Sequence, residues 1–222
     1  MGIIRSYVER FLAPAEWLGE ILFGLIMVLT ISLGAGIIIA EGPEATREML
    51  QSILGCILAW SLIDAMILVM NRMFERSRTA WLIEAVQKAA NEEQGLAIIQ
   101  TELEPRLKAV SSEQERLRLY RDVLCNIKAA AVPKTSIQRQ DLGGALVTFL
   151  LVMFTAVPAI VPFLFINERH LALRVSNCLL LGTLFFVGVF WAREAKTNPR
   201  LTGLCVMLVG MIMVGIAKVL GG

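Results

Sequence analysis

Five long apolar blocks run through this chain of 222 residues, and they limit its fold more than any other feature does. Each block is long enough to cross a hydrocarbon core ~30 Å thick as a helix. Hydrophobic residues make up 56% of the sequence, whereas soluble domains average about 45–50%. We therefore predict an all-α membrane protein with five transmembrane helices and a three-helix cytosolic insert between spans two and three. The predicted spans are residues 17–40, 49–70, 142–166, 171–191 and 201–220.

Hydrophilic segments flank and separate these blocks. The first is amphipathic, and its Tyr7, Phe11 and Trp17 are of the aromatic type that anchors at membrane interfaces. We predict four parts along the chain: an amphipathic N-terminal segment over 1–16, spans one and two over 17–72, the cytosolic insert over 73–141, and spans three to five over 142–222.

The insert has the apolar spacing of three short helices. Residues 77–90 and 92–103 each place apolar side chains on one helical face. Pro105 disfavours helical conformation at the residue before it, so we expect the second helix to end there. The third helix begins at Ser112, and Glu115 completes the pattern of a capping box.

Two prolines interrupt the third predicted span. Pro158 and Pro162 each lack the amide hydrogen that a helix interior uses, and each ring crowds the carbonyl four residues earlier. We expect this span to bend, either as a packing device or as part of a pathway through the membrane.

The distribution of basic residues predicts the orientation in the membrane. Lys and Arg concentrate in cytoplasmic loops. The insert region, residues 71–141, holds twelve of them, and the loop 192–200 holds three more. The loop 41–48 carries one arginine against three glutamates. We therefore expect the N-terminus and the insert in the cytoplasm and the C-terminus outside.

Two carboxylates lie inside predicted spans, where an ionised group is costly unless it is paired or hydrated. Asp64 lies deep in span two and Glu20 just inside span one, at depths that suit one cavity open to the cytosol. Carboxylate oxygens suit hard divalent cations, and a nearby thioether such as Met66 favours softer ones. These residues predict a site for iron(II) or manganese(II). Alternatively, Glu20 is an interfacial acid within reach of water, and Asp64 accepts a hydrogen bond between two helices.

The insert is rich in glutamate, and two interpretations of these residues stay open. Glu102, Glu113 and their acidic neighbours converge into a metal-loading cluster, or they form a solvated face in which acids near helix starts serve as caps. A third possibility gives the whole chain another function: a non-transporting membrane scaffold whose insert binds a protein partner.

Catalytic and zinc-binding motifs are absent from the sequence. It contains no P-loop, nucleophile elbow, dinucleotide fingerprint or H-E-x-x-H motif. Its four cysteines have no C-x-x-C spacing, and its single histidine, His170, excludes a histidine-based site. We predict that the protein is not an enzyme and holds no cofactor.

Several segments resemble one known family. They are Glu20-Ile-Leu-Phe-Gly-Leu-Ile-Met-Val-Leu-Thr30, Ala59-Trp-Ser-Leu-Ile-Asp-Ala65, Ala156-Val-Pro-Ala-Ile-Val-Pro-Phe163, Ala172-Leu-Arg-Val-Ser-Asn177 and Leu220-Gly-Gly222. In this order, with a helical insert between spans two and three, they resemble the vacuolar iron transporter family, and its bacterial branch more than its plant branch.

The resemblance implies a homodimer with the ion path near the two-fold axis and proton-coupled export of iron(II) or manganese(II) from the cytosol. It implies a bacterial inner (plasma) membrane, pathway residues Glu20, Asp64 and Met66, and metal capture by insert glutamates such as Glu102 and Glu113. In plant-type members an aspartate precedes the glycine of span one. Here Phe23 precedes Gly24, and the insert is shorter and less acidic.

Overall fold

The computed structural model of the chain describes residues 2–38 and 43–221, and the side chains of residues 5–32, 44, 46–216 and 219. The end of the first predicted span, at residues 39–40, lies outside this part. Every regular element in the described ranges is a helix: α1 (Gly2–Glu9), α2 (Pro14–Ile38), α3 (Pro43–Gln87), α4 (Glu92–Leu107), α5 (Glu113–Ala129), α6 (Arg139–Phe154), α7 (Val157–Phe165), α8 (Arg169–Glu194) and α9 (Pro199–Gly221).

The prediction of an all-α chain with five spans is confirmed. Five helical segments are long and apolar enough to cross a membrane. Much of their apolar surface is exposed, which would favour association in water but suits contact with lipid. The five segments are Pro14–Ser32, Thr46–Gln87, Arg139–Phe165, Arg169–Glu194 and Pro199–Ile216.

The chain forms two compact units, Met1–Leu68 with Arg139–Gly222 and, separately, Val69–Gln138. In the first unit α2 is central, because it packs against α6, α8 and α9. Its Leu25 and Leu29 are fully buried together with Ile53 of α3 and Leu180 of α8. The packing of α2 therefore determines what surrounds the acid near its start, Glu20.

The third span is broken into two helices. α6 ends at Phe154 and α7 begins at Val157, with Pro158 in its first turn. The proline has no amide hydrogen for the Phe154 carbonyl, so the break falls immediately before it. The Thr155 hydroxyl donates to the Val152 carbonyl at 2.6 Å and remains buried in the break.

The amphipathic N-terminal segment is not one helix up to residue 16. α1 ends at Glu9, and α2 begins at Pro14, whose fixed φ suits the first helical position. The Ala13 amide donates to the Glu16 carboxylate at 2.7 Å and so caps α2. Phe11, which we predict to be an interfacial anchor, packs on the start of α6, where a Cβ added to Gly143 would lie 2.5 Å from its ring.

The second unit contains the end of α3 together with α4 and α5. Its core joins Val86 of α3, Ile99 of α4, and Tyr120 and Leu124 of α5. The first predicted insert helix is therefore the continuation of α3, a single helix that runs uninterrupted from Pro43 to Gln87.

The expectation that Pro105 ends the second insert helix is wrong, since α4 continues through it to Leu107. The proline lies in the last turn, where it removes a single backbone hydrogen bond. Leu103 and Leu107 pack on the unit's core on either side of it, and that burial offsets the cost.

The capping box of α5 is present as predicted. The Glu115 carboxylate accepts from the Ser112 amide at 2.9 Å and from the Ser112 hydroxyl at 2.7 Å, and the Glu115 amide donates back at 3.4 Å. We expect Ser112→Ala to cost about 1 kcal/mol of helix stability. Amide hydrogen exchange in the first turn of α5 should then become about fivefold faster.

Gln114→Ala in the same turn is the matched control, because Gln114 is exposed and takes no part in the capping box. Hydrogen bonds from the Ser112 amide and then from its hydroxyl lower the pKa of Glu115 below its ordinary value. A lowered folded-state pKa stabilises the helix above the ordinary pKa, and this contribution is lost as pH falls through the folded value. Equal exchange rates in the two variants at neutral pH would contradict this role for the box.

Candidate metal site

Two carboxylates from different spans lie near each other in the first unit. Glu20 belongs to the second turn of α2 and Asp64 to the middle of α3, and both side chains are half-buried. They are close enough for their negative charges to interact. That both acids face one cavity open to the cytosol stays a prediction.

The Asp64 carboxylate lacks a protein partner for one of its oxygens. Oδ2 is buried and accepts no hydrogen bond from any residue that the structure describes. An unsatisfied buried acceptor costs about 1–3 kcal/mol, and more if it is charged. A cation or a proton at this oxygen would remove that cost.

Tight packing next to the two acids sets the position of α2. Phe23 lies about one turn after Glu20, and Trp60 lies about one turn before Asp64. Their rings pack edge to face, with the ring centroids 5.9 Å apart. On another face of α2, a Cβ added to Gly24 would lie only 2.5 Å from Thr155 Oγ1, at the break in span three. Gly24 therefore lets α2 approach that break closely.

The methionines do not share the face of Asp64. Met66 is 55% exposed, and it lies two residues after Asp64, a spacing that puts side chains on different helix faces. Met70 is also exposed, while Met27 packs against the apolar core. Met66 and Met70 therefore lie on other faces of α3 than Asp64.

The insert glutamates are mostly held by bases or by caps. Glu102, one of the predicted metal ligands, pairs with Arg78 at 2.7 Å. Glu113, the other, is exposed in the first turn of α5. Across the described ranges, no three His, Cys, Asp or Glu side chains are grouped so that they could hold a metal. The other paired insert acids are Glu84 with Lys88, Glu92 with Lys128, and Glu104 with Arg116.

Several buried polar residues in the spans were not identified from the sequence. Asp141, at the start of α6, is only 2% exposed. The Ser32 hydroxyl donates to the Asn177 side-chain oxygen at 3.3 Å and so links α2 with α8. Hydroxyl, amide and acid side chains inside or beside apolar runs are the signal that would have identified them.

A sequence model of the VIT family matches residues 72–222, about two thirds of the chain. The chain belongs to the VIT family, the vacuolar iron transporters. This family consists of metal-ion transporters rather than enzymes. Comparison with curated proteins and with solved structures returns no match.

The match to the VIT family begins at residue 72. It covers the insert helices α4 and α5 and the last three spans, but it does not include Glu20 or Asp64. The assignment to a metal-transporter family and the observation of paired carboxylates are therefore independent of each other.

Proposed function

We propose that this VIT-family protein carries iron(II) or manganese(II) across the membrane and that Glu20 and Asp64 hold the ion during passage. The observation that supports this most directly is the buried Asp64 oxygen without a partner, next to a second carboxylate on a neighbouring helix. The two carboxylates repel each other when both are ionised and no cation is bound between them. A divalent cation removes the repulsion and supplies the missing partner at once.

The same pair accounts for coupling to protons. Carboxylates bind metal only when deprotonated, so metal binding releases protons. Two carboxylates carry two negative charges, which either one divalent ion or two protons neutralise. Exchange of one metal ion for about two protons would keep the site close to neutral in both states.

Direction and assembly complete the proposal. The positive-inside distribution of Lys and Arg supports a cytoplasmic insert, and the resemblance to the vacuolar iron transporters implies export from the cytosol. Glu113 is free to capture metal there, whereas Glu102 would first have to release Arg78. Met66 faces outward from α3, so a homodimer in which α3 lies at the interface would bring a thioether to the pathway.

Transport assays in proteoliposomes test this function. With Mn²⁺ outside and an indicator dye inside, we expect Mn²⁺ uptake. A pH gradient that is acidic on the side opposite the metal should accelerate this uptake. The acceleration follows because protons must leave the site before the metal binds. Mg²⁺ should be carried far more slowly, because it gives up its hydration shell reluctantly.

Protein-free liposomes of the same lipid provide the baseline, and a proton ionophore should remove the acceleration. Fe²⁺ kept reduced should give the same result as Mn²⁺. The proposed function would be ruled out if, for both metals, uptake equalled that of protein-free liposomes both with and without the pH gradient.

A further inference from the structure

A groove beside α8 combines an apolar wall with a basic end. It has a volume of about 810 Å³ and is open to its surroundings along one side. Phe185, Phe186, Val189 and Phe190 of α8 form the wall. The basic end lies where α8 meets the start of α9, and it contains Arg193 of α8 and Arg200 of α9.

The apolar wall lies within a membrane span and faces outward. Phe186 is 61% exposed, and Phe185 packs against it edge to face. These rings belong to the candidate span Arg169–Glu194, so in a bilayer they are in contact with hydrocarbon chains. An acyl chain is the natural occupant of this part of the groove.

The basic end carries charge that the protein does not neutralise. Arg193 lies over the Phe190 ring, 5.6 Å from its centroid. Neither Arg193 nor Arg200 pairs with a carboxylate among the residues with described side chains. Both are exposed at the ends of their spans, at the level where lipid headgroups lie.

A neighbouring groove also contains an arginine, but that arginine is already paired. Phe186 and Phe190 also line a second, mostly apolar groove of about 470 Å³, which contains Arg5. Arg5 is already engaged, because it donates to Glu9 at 2.6 Å and to Glu194 at 2.7 Å. Glu194, the residue next to Arg193, therefore has its ion pair with Arg5 and not with Arg193 or Arg200.

The backbone holds the first groove in shape. A Cβ added to Gly188 would lie 2.9 Å from the Gly203 Cα, so α8 and α9 are in close contact at this level. Only residues 195–198 join the two helices. The separation between Arg193 and Arg200 is therefore limited by packing and by a short connection.

We propose that this groove is a binding site for an anionic phospholipid. One acyl chain lies along Phe185, Phe186 and Phe190, and the phosphate lies between Arg193 and Arg200. Guanidinium groups bind phosphate oxygens through charge-assisted hydrogen bonds. A free phosphate would use the arginines but not the apolar wall, and a neutral phospholipid would use the wall but leave the net charge uncompensated. This inference does not depend on which ion the protein transports.

Native mass spectrometry of the full-length protein tests the proposal. The protein is released from nanodiscs made of equal amounts of phosphatidylglycerol and phosphatidylcholine with identical acyl chains. We expect the wild type to retain about one phosphatidylglycerol per chain in preference to phosphatidylcholine. The double variant Arg193→Gln, Arg200→Gln should reduce that preference about 30-fold, the equivalent of about 1 kcal/mol for each arginine.

Two control variants separate the site from general charge and from misfolding. Arg118→Gln, Arg121→Gln removes two exposed arginines from the insert and should leave the preference unchanged. Arg193→Lys, Arg200→Lys keeps both charges and should retain most of the preference, which shows that changes at these positions are tolerated.

Other outcomes overturn the proposal. The wild type could bind both lipids equally, or the Gln variant could keep the full preference. Inorganic phosphate or glycerol phosphate could displace the retained lipid as readily as each binds to the lipid-free protein. That result would make the groove a phosphate site. A preference present in monomers but absent in dimers would show that a second copy of the chain covers the groove.

Discussion

The double variant Glu20→Gln, Asp64→Asn should carry Mn²⁺ at less than about one tenth of the wild-type rate. Even changes to groups that only orient metal ligands typically cost about 10–100-fold in affinity or activity, and these substitutions remove the proposed ligands themselves. The amides keep the size of the side chains but cannot be ionised. The measurement is the initial rate of Mn²⁺ uptake into proteoliposomes at matched protein density.

The matched control is Glu48→Gln, Glu75→Gln. Both residues are exposed acids of α3, so this variant changes the net charge equally without touching the pair. We expect near wild-type uptake from it. Thermal unfolding in detergent provides a second readout: loss of a half-buried, unpaired charge should leave the ligand variant at least as stable as the wild type. Undiminished uptake by the ligand variant would show that the ion takes another route.

Gly188→Val should separate or unfold the pair of helices α8 and α9. A Cβ at this position would lie 2.9 Å from the Gly203 Cα and 3.1 Å from the Thr202 carbonyl oxygen. Both are backbone atoms, so no side-chain rotation relieves the overlap, and the helices must move apart. Overpacking costs about 1–3 kcal/mol in well-packed interiors, and we expect at least the upper end of this range here, measured as a lower unfolding temperature in detergent.

Gly182→Val is the control on the same helix. Its added Cβ would have no described atom within 4 Å, and the change in helix propensity from glycine to valine is the same at both positions. We expect it to unfold close to the wild-type temperature. If the two variants lost equal stability, the effect would come from the glycine-to-valine change in a helix and not from the α8–α9 contact.

The amino-acid sequence was sufficient for features that depend on position along the chain alone. The span count, the isolation of Asp64 and Glu20 among apolar residues, the Ser112 capping box and the bend before Pro158 all follow from local composition. Hydropathy accumulates along a segment, and a cap or a proline acts within about one turn. The sequence order was likewise enough for a resemblance that the VIT-family match supports.

The pairing of faces between helices was accessible only from the tertiary structure. The proximity of Glu20 to Asp64, the outward direction of Met66 and the contact of Gly188 with Gly203 depend on how each helix is rotated about its axis. In a bilayer, lipid and protein interior are both apolar, so hydropathy does not distinguish the face turned to lipid from the face turned to a neighbour. That choice is made by close packing between residues far apart in sequence, as when Arg5 meets Glu194.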